Sequence, residues 1–119
     1  MRNDRLRLLD IVEAIEKIGQ YTTRREPPFF EDELVQVWVV HHIQIIGEAA
    51  ANLSEPLRER YSHIPWSDIV AMRNVLVHHY FGIDVQEVWN TVTRDLPRLR
   101  EQVTAILEEL PRDSEQEEE

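Results

Sequence analysis

At 119 residues with 42% hydrophobic content, the chain is long enough for one domain with a single core and too apolar to be read as disordered. Without cysteine it can hold no disulfide framework, thiolate nucleophile or cysteine-ligated zinc, which fits a reducing compartment and makes the cytoplasm the default. A net charge of −10, from 13 Lys+Arg against 23 Asp+Glu, argues against a protein that coats nucleic acid nonspecifically through its phosphates.

Apolar residues recur at helical spacing nearly throughout and only three glycines are present, which predicts an all-α bundle of about four to five helices forming one domain over 1–110. The first helix is predicted from about Asn3 to Gly19, with a stripe at Leu8, Ile11, Val12, Ile15 and Ile18 and Gly19 as its stop. A polar connection containing Pro27-Pro28 leads to a long second helix, about Phe30 to Asn52. Its middle, Val37 to Ile46, is apolar on nearly every side, the mark of a helix buried in the bundle or pressed against a second subunit. Set into it is a polar line, His41, Gln44 and Glu48, whose burial without partners costs on the order of 1–3 kcal/mol each.

Ser54 ahead of Pro56 reads as the N-cap of a short helix reaching about Tyr61. Ile64-Pro65-Trp66-Ser67 then introduces a helix over about Trp66 to His79 that ends near Gly82. Asp84, with Glu87 three residues on, opens the last helical stretch in the manner of a capping box. The stripe Val85, Val88, Trp89, Val92, Leu96, Leu99, Val103, Ile106 and Leu110 passes through Pro97 in phase, which predicts a kink or a break between collinear helices. Trp38, Trp66 and Trp89 are expected as core or interface anchors. Residues 111–119 carry one arginine against five acids and are expected to be a solvated, disordered tail. The charged N-terminus and the lack of a long apolar window predict neither a signal peptide nor a membrane span.

The segment Arg73-Asn74-Val75-Leu76-Val77-His78-His79-Tyr80 concentrates the residues able to carry chemistry. An arginine beside a histidine and a tyrosine suits phosphoryl transfer: the guanidinium holds phosphate oxygens and stabilises developing charge, and the imidazole moves a proton near neutral pH. With RNA, the neighbouring 2′-hydroxyl is the nucleophile, so neither metal nor cofactor is called for, and the products carry a 2′,3′-cyclic phosphate and a 5′-hydroxyl. Asn74 can orient His78 or bind a base or sugar oxygen; Tyr80 can stack on a base, donate to phosphate or be modified on its own hydroxyl. On one ideal helix Arg73 and His78 stand about 140° apart, from roughly 100° per residue, an awkward angle for a site within one helix. Loosening of the helix near His78 or a second copy facing the first relieves it. The structural alternatives are plain: Arg73 and His78 as surface residues, His79 as a residue favoured at a helix C-terminus, Glu48 as no more than a counter-ion for Arg73 or a histidine. His41 and His42 are adjacent, point to different faces and make poor joint metal ligands.

In these residues the chain resembles the HepT-like toxins of the HEPN superfamily, whose signature R-x4-H is extended in this branch to R-x4-H-x-Y. Arg73, His78 and Tyr80 fill it, and the likeness extends to His42-Ile43-Gln44-Ile45-Ile46-Gly47-Glu48-Ala49, Ile64-Pro65-Trp66, Met72-Arg73-Asn74 and Val88-Trp89. The resemblance implies a HEPN-like helical domain, dimeric, in which two motifs converge on one cleft. Arg73 and His78 are then the catalytic residues of a metal-independent endoribonuclease, with Asn74 in support; from the polar line on the second helix, Glu48 is expected to support them too. The resemblance further implies the toxin of a type VII-like toxin–antitoxin pair, neutralised by an MNT-type nucleotidyltransferase antitoxin that transfers AMP to Tyr80. The alternative is a catalytically silent helical binding module that partners and regulates a nucleotidyltransferase.

Overall fold

In the computed structural model, which describes the backbone of residues 3–22, 28–75 and 84–110 and the side chains of all but 28, 74 and 75 among them, helices pack around one apolar core. The first, α1 (Asp4–Thr22), turns Leu8, Ile11, Ala14, Ile15 and Ile18 inward, as their i, i+3, i+4 spacing requires. It does not stop at Gly19. A glycine lowers helix propensity by only about 1 kcal/mol, and the helix carries on to Thr22, whose hydroxyl donates to the Ile18 carbonyl at 2.9 Å.

A 3₁₀ turn over Pro28–Phe30 buries Phe29, whose ring lies 5.0 Å from that of Trp89. This turn, and Asp32 as N-cap to the amides of Leu34 and Val35, delay α2 (Glu33–Ala51) by three residues relative to its expected start at Phe30. Lying between α1 and the helix over Trp66–Val75, α2 buries Val39, Val40, Ile43, Ile46, Ala49 and Ala50. Its apolar middle is nevertheless not covered all round. Leu34, Val37 and Trp38 remain 82%, 52% and 38% exposed, on the side of α2 that the described helices leave open.

The short α3 (Glu55–Arg60) is capped by Ser54, whose hydroxyl accepts from Leu57 N–H while its own O–H and N–H donate to the Asp4 carboxylate at 2.6 and 2.9 Å. That clamp joins the starts of α1 and α3. Next, α4 (Trp66–Val75) is anchored by buried Ile64, Trp66 and Ile69, and the Trp66 indole N–H donates to the Tyr61 carbonyl at 3.1 Å. The remainder of the helix expected to reach His79 lies outside the described residues.

Asp84 caps α5 (Val85–Asn90) by accepting from Glu87 N–H, as its position implied. Helical structure then continues through a π turn (Thr91–Asp95) into α6 (Leu96–Glu109). Pro97 has no N–H for the preceding turn, and the ladder adapts by a five-residue step in which Leu96 N–H bonds to Thr91 O. The expected kink is thus a π turn inside one rod. Counting that rod once, the described residues form five helices, with no strand among them. Of the three tryptophans, Trp66 is core, Trp89 is half-buried against Phe29 and Phe30, and Trp38 is at the surface. No helix among the described residues is long and apolar enough to cross a membrane. The tail, 111–119, is not among them.

Candidate active site

Arg73 stands near the end of the described part of α4, while Asp68 occupies its first turn. The position is set from the other end of the helix, by Trp66 and Ile69 locked into the core. The facing element is the C-terminal half of α2. There Gly47 is buried, and a Cβ placed on it would meet Arg73 Cβ at 2.9 Å, with Arg73 N and Val70 O at 3.3 Å. Gly47 is therefore the residue that lets α2 and α4 approach so closely beside Arg73.

The neighbouring Glu48 receives the arginine. Its Oε1 lies 2.6 Å from Arg73 Nη1, and its Oε2 accepts from Asn52 Nδ2 at 3.3 Å. Asn52 Nδ2 also donates to the Glu48 carbonyl at 2.8 Å, so the C-cap residue of α2 steadies the carboxylate. A carboxylate one turn from a helix C-terminus opposes the dipole there; the guanidinium beside it offsets that. The side chains of Arg73 and Glu48 are 33% and 66% exposed, so the pair sits at the surface within reach of a substrate. Contact through Nη1 alone is end-on, which leaves Nη2 and Nε of the planar fork to face a phosphate.

Of the residues expected at the site, the structure brings Arg73 and Glu48 together. Asn74 has its backbone in α4, next to Arg73, and its side chain is outside the described residues, as are His78 and Tyr80 entirely. The expected polar line on α2 needs no buried partners, because His41 and Glu48 face outward. Among the described residues the buried histidine is His42, whose Nδ1 lies 2.8 Å from the Trp38 carbonyl and therefore carries the hydrogen, with the Trp38 ring centroid 4.3 Å away. Gly47 as the close-contact residue and Asn52 as the support of Glu48 were not singled out by sequence reasoning. An isolated glycine in a long apolar helix is the available signal for the first; Asn52 carries none beyond its spacing four residues from Glu48.

Comparison with known proteins gives the same direction. The family described as "Ribonuclease HepT-like" matches residues 11–106. A protein of Methanocaldococcus jannaschii named "gamma-glutamylcyclotransferase and putative RNase" is 43% identical over 112 residues, covering 92% of this chain but only 50% of its own length. A "probable ribonuclease HepT" of Thermococcus cleftensis is 41% identical over 96 residues, 78% of this chain and 86% of that protein. A "putative RNase" of Caldanaerobacter subterraneus is 39% identical over 80 residues, 67% and 71% of the two chains. No solved structure matches. The family match takes in residues of every described helix and the Arg73–Glu48 pair with them, and the chain belongs to the Ribonuclease HepT-like family.

Proposed function

We propose that this chain is a metal-independent endoribonuclease and the toxin of a toxin–antitoxin pair, working in the cytoplasm as a homodimer. The observation that carries the reading is Arg73: one-third exposed on α4, aimed by Glu48, and with two nitrogens of its fork turned to no partner among the described residues. His78 follows it in the motif that the family resemblance makes catalytic. Relatives named as ribonucleases over most of this chain support the same chemistry.

In the reaction, the 2′-hydroxyl of RNA gives its proton to a histidine base as O2′ attacks the adjacent phosphorus. The P–O5′ bond breaks, and the departing 5′-oxygen takes a proton from the acid. Arg73 binds the non-bridging oxygens and stabilises the charge that grows on them. Two copies supply two His78 imidazoles, one for each proton. An acidic chain of this kind grips RNA locally, through Arg73 in a cleft, and not across a basic surface. The off-switch is Tyr80: its hydroxyl attacks the α-phosphorus of ATP on an MNT-type nucleotidyltransferase, pyrophosphate leaves, and the AMP placed beside Arg73 fills the substrate phosphate site with like charge.

The test is incubation of the purified protein with tRNA and mRNA in EDTA, compared with an Arg73→Ala, His78→Ala double variant. Equal cleavage by the two proteins refutes the reading. The second reading, a catalytically silent module that docks and regulates a nucleotidyltransferase, draws on the 2.6 Å pairing that already gives Arg73 a carboxylate. It expects no motif-dependent cleavage and retained binding of the transferase.

A further inference from the structure

Glu48 belongs to a line of polar side chains that continues along α2 beyond the arginine it holds. His41, Gln44 and Glu48 stand at i, i+3 and i+7, with the C-cap residue Asn52 at i+11, and so share one face of the helix. Two of the four have partners: Glu48 binds Arg73, and Asn52 gives its amide to the Glu48 carbonyl and Oε2. The side chains of Gln44 and His41, on the other side of Glu48, make no hydrogen bond among the described residues.

Gln44 is half-buried, so its amide has lost part of its hydration while its N–H donors and its carbonyl oxygen find no partner among the described residues. His41 is exposed, and the ring of His42 backs it edge-on, with centroids 5.2 Å apart and planes at 89°. His42 is itself buried and tied to the Trp38 carbonyl, so the His41 ring rests on a fixed neighbour.

The spacing suits a nucleotide. Gln44 lies one helical turn, about 6 Å, from Glu48, and His41 about 10 Å, from 1.5 Å per residue; Arg73 Nη1 sits 2.6 Å from Glu48 Oε1. A phosphate on the open part of the Arg73 fork therefore has near it an amide for a base edge and an imidazole face for stacking, the two means by which unpaired RNA bases are read. The adjacent donor and acceptor of a glutamine amide match the N6 amine and N7 of adenine. On a chain of net charge −10 general attraction for phosphates is weak, which leaves base contacts to supply selectivity.

We propose that Gln44 and His41 form a subsite for an unpaired adenine flanking the scissile phosphate, Gln44 bonding to the base edge and His41 stacking on its face. This rests on the ribonuclease reading above and names the RNA that the Arg73 site selects.

Short uridine oligomers carrying a central adenosine, cytidine, guanosine or uridine test it. Wild type is expected to cut beside the adenosine about 5-fold faster or more than beside the other three, the low end of what one bidentate base contact discriminates. Gln44→Met keeps the length of the side chain without its hydrogen bonds and brings that ratio to about one, at unchanged helical circular dichroism; Gln86→Met on α5 leaves the ratio as in wild type. His41→Ala weakens binding of all four oligomers by roughly 5-fold or more without reordering them. Fluorescence anisotropy on the same oligomers with 2′-fluoro in place of the attacking hydroxyl reads the preference without turnover. Equal handling of the four bases by wild type, an adenine preference that survives Gln44→Met, or an equal loss on all four in Gln44→Met overturns the proposal. Adenine-selective binding through Gln44 with no cleavage leaves the subsite standing and refutes the nuclease; cleavage without base preference does the reverse.

Discussion

Two glycines inside helices are expected to respond to alanine with opposite sign, and the comparison isolates the contact that builds the site. At Gly19 nothing among the described residues lies within 4 Å of an added Cβ, so Gly19→Ala fills open space. It gains the helix-propensity difference of roughly 0.5–1 kcal/mol. At Gly47 the same methyl stands 2.9 Å from Arg73 Cβ, an atom that no rotamer change can move. Ordinary carbon–carbon separation is about 3.5–4.0 Å, so α2 and α4 must part by about 0.6 Å or more. Overpacking of this sort costs about 1–3 kcal/mol, against the same propensity gain, and the net is a loss of roughly 1 kcal/mol. For a domain of this size that lowers Tm by about 4–8 °C, whereas Gly19→Ala raises it.

The shift also carries Arg73 away from Glu48. Misplacement by about 1 Å can cost on the order of 10²-fold in rate, so RNA cleavage by Gly47→Ala is expected to fall by roughly 10- to 100-fold below the melting transition, with Gly19→Ala unaffected. Thermal melts by circular dichroism and a cleavage assay at fixed temperature suffice. A Gly47→Ala protein as stable as Gly19→Ala refutes the close helix contact, and with it the account of how Arg73 is positioned.

Other consequences are local. Ser54→Ala removes both the cap of α3 and the hydroxyl bond to Asp4, and a loss of about 1–2 kcal/mol is expected from denaturant titration; a change within error would mean that the clamp contributes nothing. Tyr61 donates to Glu109 Oε1 at 2.7 Å, and this bond first, then burial, raises its pKa above the usual tyrosine value, with Arg60 acting in the opposite direction. The folded state holds that proton more tightly than the unfolded state, so its contribution to stability is complete below about pH 10 and is lost as pH rises through the raised value. Glu109→Gln is expected to lower the Tyr61 transition in an ultraviolet titration, and an unshifted transition would remove the carboxylate as its cause.

Much of the architecture was legible because helical periodicity and caps are local properties. Ser54 and Asp84 cap where their side chains can reach free amides, and the stripe from Val88 to Ile106 is buried as its spacing requires. Glu48 as counter-ion of Arg73 was also readable. The exposed side of α2 was not: an apolar letter records the tendency to be covered, not whether the cover comes from the same chain. Nor was Gly47, whose role depends on Arg73, 26 residues away, coming so near that a Cβ at Gly47 would stand 2.9 Å from its Cβ. Pro97 announced a disturbed ladder, yet the form it takes, a π turn, depends on keeping Leu96 and Leu99 buried on either side of the proline.

The pairing of Glu48 with Arg73 presents a conflict that a single substitution resolves. As a surface pair, with one side chain two-thirds exposed, it adds at most about 0–1 kcal/mol to stability, so a purely structural role is a weak reason for its presence. For an RNA phosphate docked on the rest of the fork, however, the carboxylate is a like charge roughly 5 Å away, a repulsion of about 1 kcal/mol in water and more where water is excluded. The carboxylate therefore weakens binding while it fixes the direction of the guanidinium. Glu48→Gln keeps the shape and an accepting oxygen but removes the charge. Its expected kinetics are a lower KM, by several-fold, together with a lower kcat, because the neutral bond holds the fork less firmly. A structural pair moves neither constant, and a raised KM would mean that Glu48 assists binding. Only the opposed pair of changes, tighter binding with slower turnover, fits a carboxylate that gives up affinity for aim.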